Sequence, residues 1–528
     1  MVDGARQIDV ATQRRWLADG GEIAFIDVRE EGEHCDGHPL LSVSLPYSRL
    51  ELDIARLVPR PTCRVVLIDS GDGVAARAAA RLTRLGYGDV SVVAGGVVAW
   101  GAAHPLFPSS NVPSKAFAEL VEIDRATPHV TAAEFDRLRH EGTKVAVLDS
   151  RTVEEFNRFH VPGAVSCPGA ELVHRFADLV PDRDTLVVVS CAGRTRSIIG
   201  AQSLINAGVP NRVVSLQGGT QGWRLAGLEL ERDTRAALAP VSAAAAGFAA
   251  PLAARIAERF GVWRIERATL AAWRADPRRT THILDVRTPE EFAAGHLPGA
   301  ESAPGGQLVQ AIDRWVATRG ARLVLVDDTE TRAIMTAHWL IQMGWDVVVL
   351  EGGIGGAGIE TGSAAPAASA PQTASIGPTA ASRAMVEGAA AIVLGPSAAY
   401  RAAHPAGAVW TIRPRLDRLP ESVLGAGRIM VFADSEPEVA RLATAELAAL
   451  TGAEIALVEG GVAGWQKARL PVVATPDDPP DSERIDFVFW NHDRHAGNQA
   501  AMRAYLQWEL DLPGEIARDG LAGFQLAP

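Results

Sequence analysis

The sequence predicts an α/β chain of four tandem repeats, each a parallel sheet packed against helices. Three observations predict it. An apolar run ending in Asp-x-Arg recurs with a histidine always eleven positions after the aspartate: Asp27 and His38, Asp149 and His160, Asp285 and His296. After each histidine comes a second strand-like run (VVLI, LVVV, LVLV), a short polar loop, and an Ala/Leu-rich helix that stops at Gly86, Gly208 or Gly344. A further β-rich run then ends at a glycine pair, Gly95-Gly96, Gly218-Gly219 or Gly352-Gly353. Strands alternating with helices at this spacing are βαβ units, which close into a parallel sheet.

A fourth, weaker copy follows the same order. His404 keeps its place, but Val393 and Gly395 stand where Asp and Arg were. The strand-like run IMVF, the helix stop Gly452 and the pair Gly460-Gly461 complete the copy. Trp100, Trp223 and Trp465 close three of the repeats, and the third lacks the tryptophan. The boundaries predicted are 1–112, 118–235, 258–360 and 378–475, with a helical tail over 476–528 that packs back on a repeat. The segment 361–380 is an Ala/Ser/Pro/Thr linker, so the fourth repeat is expected to be loosely tethered. The Ala-rich segment 236–258 reads as helix.

With 528 residues, 47% of them hydrophobic and 22% charged, the chain can build several cores. A net charge of -12 and the lack of any Lys/Arg run argue against nucleic acid. No run of about 18 apolar residues suggests a membrane span, and the N-terminus has no signal-peptide pattern. The four cysteines Cys35, Cys63, Cys167 and Cys191 form no CxxC pair and no disulfide framework. A reducing cytoplasm is the expected setting, and neither a metal nor a cofactor is called for. The tail residues His492, Asp493, Arg494 and His495 read as a polar contact rather than a metal site.

The strand-to-helix loops can be placed in register. Counting 42 residues from the aspartate reaches Asp69, Cys191 and Asp327, and from Val393 it reaches Ser435. Counting back from the helix-ending glycine gives the same four positions. A one-residue slip in the fourth copy gives Asp434 instead. One loop in four therefore carries a thiol, in VVVSCAGRTRSIIGAQSL. Its setting suits a reactive thiolate: loop N–H groups, a helix start near Ser197, and the cations Arg194 and Arg196. Together these are expected to bring the thiol pKa down toward neutrality. Cys35, Cys63 and Cys167 lack that setting and read as structural.

The run Asp-x-Arg, Glu-Glu-Phe, His-x-Pro-Gly-Ala, then Cys-Ala-Gly-Arg-Thr-Arg-Ser, then Gly-Gly and Gly-Trp resembles the rhodanese family. The resemblance is strongest in repeats two and three and weakest in four. It implies four tandem rhodanese-like domains, each a five-stranded parallel sheet flanked by helices, of which only the second is competent. It further implies a thiosulfate sulfurtransferase of rhodanese type, working through a persulfide on Cys191. Ala192, Gly193, Arg194, Thr195, Arg196 and Ser197 would form the substrate-binding loop. Arg194 would favour an anionic donor such as thiosulfate over 3-mercaptopyruvate. The partners implied are a small sulfur donor and a thiol, protein-thiol or cyanide acceptor.

The remaining candidates divide between support and binding. Asp149 and Arg151 read as an ion pair that fixes the loop, because repeats without cysteine carry the same pair. His160 reads as part of a turn at Pro162-Gly163. Ser197 reads as a helix cap before a sulfur ligand, and Arg175, after the Pro-Gly turn, is a candidate for anion binding. The spacing C-x-x-x-x-R is one residue shorter than in related phosphatases, which favours sulfur over phosphate. The competing reading is a persulfide carrier or scaffold that hands sulfur to a partner protein without turnover.

Overall fold

The computed structural model describes residues 5–355, 358–362, 371–495 and 497–527, with the side chain of His495 outside that set. Residues 363–370 of the low-complexity linker therefore lie outside the described residues. Among the described residues no helix is long and apolar enough to cross a membrane.

Four sheets share one strand order. In the second, the strands lie as His129–Val130, Val213–Leu216, Leu186–Ser190, Val145–Asp149 and Ala164–Ser166, all parallel. The third sheet runs Trp263–Ile265, Asp346–Leu350, Arg322–Val326, Thr281–Asp285 and Glu301–Ser302. The fourth runs Ser375–Ile376, Glu454–Val458, Arg428–Phe432, Ala390–Leu394 and Val409–Thr411. In the first, Ile23–Asp27 pairs at one edge both with Val43–Ser44 and, antiparallel, with Thr318–Arg319 from the third unit. The second strand of the central pair is buried throughout in the second unit, as an apolar strand covered by helices on both faces must be.

The repeated residues make repeated contacts. Arg29, Arg151 and Arg287 each grip the aspartate two residues before them through Nε and a terminal nitrogen, at 2.6–2.9 Å for the shortest bonds. The same guanidinium donates to the carbonyl eight residues on, Gly37, Phe159 or Gly295. His38, His160, His296 and His404 each bond through Nδ1 to the carbonyl four residues earlier. Each ring also stacks, at 3.7–3.9 Å, on the ring of that same residue: His34, Phe156, Phe292 or Tyr400. The histidine pairs with a later stretch of its own unit, at Phe107, Glu231, Glu360 or Val473. It is thus a clasp that ties the exit of the unit to its middle, beyond the turn role read from the sequence.

The second and third units share one continuous hydrophobic cluster, from Leu172 and Val189 to Leu284 and Leu340. The helix Ala243–Phe260, in the Ala-rich stretch, packs into it. The first and fourth units meet through polar groups. Arg413, fully buried, bonds both carboxylate oxygens of Glu51 at 2.7 Å and the Glu446 carboxylate at 3.1 Å. Tyr47 donates to Glu446 at 2.8 Å. The fourth unit is therefore docked rather than loosely tethered, because separating the two units would break the bidentate Arg413–Glu51 pair and the Tyr47–Glu446 bond that cross between them.

The tail forms the helix Gln499–Asp519, capped by the Asn498 side chain on Ala500 and Ala501 N–H. Its apolar stripe Tyr505, Trp508, Leu512 and Ile516 packs on Leu41, Phe107, Val112 and Ala116. Burial of Leu512 alone is worth about 1.5–3 kcal/mol.

Candidate active site

The strand Leu186–Ser190 delivers Cys191 to the carboxyl edge of the second sheet, where ligands bind in open α/β sheets. The helix Thr195–Ala207 starts four residues later, with Arg194 at its N-cap position. Cys191 is only 2% exposed. Its thiol donates to Ser197 Oγ at 3.5 Å, and the Ser197 hydroxyl donates to the Arg194 carbonyl at 2.9 Å. The N–H groups of Gly193 and Ser197 are turned toward the sulfur.

The loop carbonyls are turned the other way and held there. Thr220 N–H donates to the Cys191 carbonyl at 2.8 Å, and Gln221 donates to Ala192 through its backbone and side-chain nitrogens at 3.2 Å each. These donors belong to the segment after the glycine pair. Gly219 sits at φ +52°, and any Cβ there would run into the Cys191 carbonyl. The glycine pair is thus the backstop of the loop.

The first unit shows what the loop holds. Asp69 occupies the position of Cys191, and its carboxylate accepts from Gly71, Gly73 and Ala75 N–H at 2.9, 3.1 and 2.9 Å. Gly71 and Ala75 follow the acid at the intervals at which Gly193 and Ser197 follow the cysteine. In the third unit Asp327 accepts from Asp328 and Arg332 N–H at 2.8 Å each and from Arg332 Nε at 3.0 Å. The loop is an anion cradle that two other units fill with a carboxylate.

The fourth unit corrects the register. Phe432 ends its strand and pairs with Val393, as Ser190 pairs with Asp149. A Cβ on Gly461 would meet the Ala433 carbonyl, as one on Gly219 would meet that of Cys191. Ala433, not Ser435 or Asp434, therefore stands at the nucleophile's position. The connection before it is two residues shorter than in the second unit and the one after it two longer. The two changes cancelled in the counts from either flank.

The arginines are not free for a donor. Arg194 bonds both oxygens of Glu119 at 2.7 Å and also grips Glu122. Arg196 bonds both oxygens of Glu155 at 2.6 and 2.8 Å. Arg175 bonds Glu171 at 2.6 Å and the Ala239 carbonyl. Glu171 in turn takes Arg332 of the third unit at 2.9 Å. Arg175 is thus part of the bridge between units, and Arg194 anchors the loop to the helix Val112–Arg125; neither is an open anion site. Of the three arginines, Arg196 is the one whose charge lowers the Cys191 thiol pKa.

Ser197 departs from the reading as a cap as well. It lies inside the first turn, caps nothing through its side chain, and contacts the thiol instead. The thiol pKa moves opposite to expectation. Burial pushes Cys191 above its ordinary value, opposed by the Arg196 charge and the hydrogen bonds of Ser197 and Gly193. Burial also raises Cys35 to about 12 and Cys63 to about 11, and pushes Cys167 higher still.

Several site residues were given no role in the sequence reading. Glu155 and its counterpart Glu291 each pair the arginine of their own loop, Arg196 or Arg332. The signal was present, since both residues recur together in repeats two and three. From the tail, Glu509 accepts from Thr195 Oγ at 3.4 Å and from Tyr505 at 2.8 Å. Glu509 is 1% exposed beside the apolar Tyr505, Trp508 and Leu512, an anomaly visible in the helical spacing. Thr195 and Arg196 also line a narrow crevice against Gly305, Gly306 and Thr336 of the third unit. A cleft of about 370 Å³ adjoins it, lined by Ser150, Glu171, Arg287 and Gln307 among others. Among the described residues no group of three His, Cys, Asp or Glu is placed to hold a metal ion.

A parallel sheet in the order first, fifth, fourth, second, third strand, with an anion cradle at the end of its fourth strand, defines the class of protein. Residues 10–103, 131–226 and 267–357 match the family described as Rhodanese-like domain, and together they make up more than half of the chain. The chain belongs to the rhodanese-like family. The crystal structure of a thiosulfate sulfurtransferase from Pseudomonas aeruginosa is similar along its whole length, with a TM-score of 0.90 at 42% identity, covering 99% of this chain and 100% of that one. An HTH-type transcriptional regulator of Mycobacterium tuberculosis is 37% identical over 102 residues, which are 19% of this chain. The match spans 44% of that relative's length.

Proposed function

We propose that this protein is a sulfurtransferase that carries sulfur on Cys191 alone and takes it from thiosulfate. The observation that carries the reading is the cradle: two of the three N–H groups that hold the Asp69 carboxylate, those of Gly71 and Ala75, have counterparts in Gly193 and Ser197 turned toward the Cys191 sulfur. Such a loop stabilises a single negative charge on the thiolate and then on the persulfide. The similarity to a thiosulfate sulfurtransferase supports the choice of donor.

The Cys191 thiolate attacks the outer sulfur of thiosulfate. The sulfur–sulfur bond of the donor breaks, sulfite leaves with the bonding pair, and Cys191 becomes a persulfide. An acceptor thiolate or cyanide then attacks the terminal sulfur, and the Cys191 thiolate leaves with the pair. This is a two-step covalent exchange. With Arg194, Arg175 and Arg196 all engaged by carboxylates, recognition of the donor's charge falls to the loop N–H groups, and Arg196 contributes only its field at the sulfur.

The organisation that fits this reading is four units, 1–112, 118–235, 258–360 and 378–475, followed by the tail. The first, third and fourth carry Asp69, Asp327 and Ala433 at the nucleophile's position and form no persulfide. The near-complete burial of Cys191 favours small donors and acceptors over a carrier that docks a protein thiol. Mass spectrometry after exposure to thiosulfate should find one added sulfur on the Cys191 peptide, with sulfite released. Cys191→Ser should abolish both, and turnover retained in that variant would overturn the proposal. A donor series including 3-mercaptopyruvate ranks the substrates, and a single sulfur load without turnover would identify a carrier.

A further inference from the structure

We propose that Glu509, on the C-terminal helix, is a positioning residue for the nucleophile loop. The inference rests on the sulfurtransferase reading for its kinetic consequence, but its structural content stands on contacts alone. The helix Gln499–Asp519 lies beside the helix Gly219–Leu225 that backs the loop, and also against Val112–Arg125. From it Glu509 reaches the loop at two points. Its Oε1 takes the Thr195 hydroxyl, at the first residue of the helix after the cysteine. Its Oε2 faces Gly193: a methyl group on Gly193 would come within 3.3 Å of that oxygen and 3.4 Å of the Tyr505 ring. Oε2 is buried and, among the described residues, has no hydrogen-bond partner.

Gly193 is one of the two residues whose N–H is aimed at the Cys191 sulfur. The arc from Gly193 to Thr195 is thus clamped between the glycine-pair segment on one side and Glu509 on the other. No side chain caps the helix Thr195–Ala207 from its own segment. A carboxyl group supplied from the tail sits at that positive end, where it is favoured. The groups facing Glu509 are Lys115 and Glu119 from Val112–Arg125, Arg194 from the loop, and Tyr505 and Arg494 from the tail. Burial raises its pKa against these cations.

Charge and position act on Cys191 in opposite senses, which makes them separable. Removing the Glu509 charge favours the thiolate. Loosening the loop disfavours it, because the Gly193 N–H is then less well aimed. Three variants of the full chain separate the two effects, read by the pH dependence of Cys191 alkylation with iodoacetamide, with Cys191→Ser as the blank. Glu509→Gln loses the charge and keeps an oxygen for Thr195 and Tyr505. Glu509→Ala loses both, while Thr195→Val loses the bond and keeps the charge.

The expected result is an alkylation midpoint for Glu509→Ala above that of Glu509→Gln by about half a unit or more. Thr195→Val should lie above the parent. The kcat with thiosulfate should fall about tenfold in Glu509→Ala and Thr195→Val and stay within about twofold in Glu509→Gln. Thermal unfolding reports any loss of tail docking separately. Equal midpoints for Glu509→Ala and Glu509→Gln, with Thr195→Val like the parent, would overturn the proposal. Alkylation reads the loop whether or not thiosulfate is the donor, so this result is independent of the sulfurtransferase reading.

Discussion

The guanidinium of Arg194 lies against both carboxylate oxygens of Glu119, at 2.7 Å each, with both side chains almost fully buried. An arginine that reads in the sequence as a donor-binding cation is therefore half of a buried ion pair. Removing one partner leaves the other charged and desolvated. Arg194→Met is expected to destabilise the protein by about 3–5 kcal/mol. Its KM for thiosulfate, measured below the unfolding transition, should stay within about twofold of the parent. Glu119→Leu combined with Arg194→Met should recover much of the lost stability. Thermal unfolding and steady-state kinetics check both parts; a large rise in KM at unchanged stability would return Arg194 to the donor.

Arg196 differs because its charge reaches the sulfur. Burial holds the Cys191 thiol above its ordinary pKa and Arg196 is the largest opposing influence. Below the pKa the thiolate fraction grows about tenfold per pH unit, so alkylation of the parent should climb from pH 7 to 9 without a plateau. Arg196→Met removes the cation and should shift the whole profile upward, slowing alkylation at pH 8 about tenfold. Pairing it with Glu155→Met removes the carboxylate left behind and keeps the effect from being one of an orphaned anion. A profile unchanged in the double variant would remove Arg196 from the chemistry.

Much of the fold was legible because its signals are local. The Asp-x-Arg grip joins residues two apart, and the histidine clasp joins residues four apart before it reaches across the unit. The cysteine loop was legible for the same reason, being one strand end and one helix start. Interval counting failed at Ala433 because an interval records net length and not where residues are gained or lost. The helix Pro437–Thr451 has 15 residues where Thr195–Ala207 has 13, which hid the shorter connection before it. The partners of Arg194 and Thr195 could not be read from spacing. Glu119 lies 75 residues before Arg194 and Glu509 lies 314 after Thr195, and only tertiary packing brings them together.

Glu30, at the junction of the first and fourth units, offers a test in equilibrium stability. It is buried, accepts from the Ser48 N–H at 3.2 Å and the Ser48 hydroxyl at 2.6 Å, and burial lifts its pKa to about 7. An unfolded glutamate titrates near 4.3. Between these values the unfolded chain releases a proton that the folded chain retains, so this group's contribution to stability falls as pH rises from about 4.3 to about 7. Glu30→Gln keeps an acceptor for Ser48 and removes that loss. It should raise stability by about 1–3 kcal/mol at pH 8 and by much less at pH 4. Unfolding midpoints at the two pH values decide it, and an equal change at both would assign the effect to packing.

Asp69 tests the cradle without touching the active unit. Three loop N–H groups converge on its carboxylate, so Asp69→Ala leaves them facing each other around a void. The expected cost is about 2–4 kcal/mol, since hydrogen bonds to a charged group are the strong ones and their loss leaves donors unsatisfied. Turnover at Cys191 should be unaffected once the protein is folded, because the first unit supplies no group to that loop among the contacts described. Asp69→Cys is the sharper variant. It puts a thiol into a loop with N–H donors in the same register, but with Val74 at the place of Arg196; Glu33, which stands six residues after Asp27 as Glu155 does after Asp149, makes no ion pair among the described residues. That thiol should titrate above Cys191 and alkylate more slowly at neutral pH. The difference in midpoint between the two cysteines in one protein then measures what the Arg196–Glu155 pair adds to a cradle of N–H groups. Equal midpoints would mean that the backbone alone sets the chemistry of the loop.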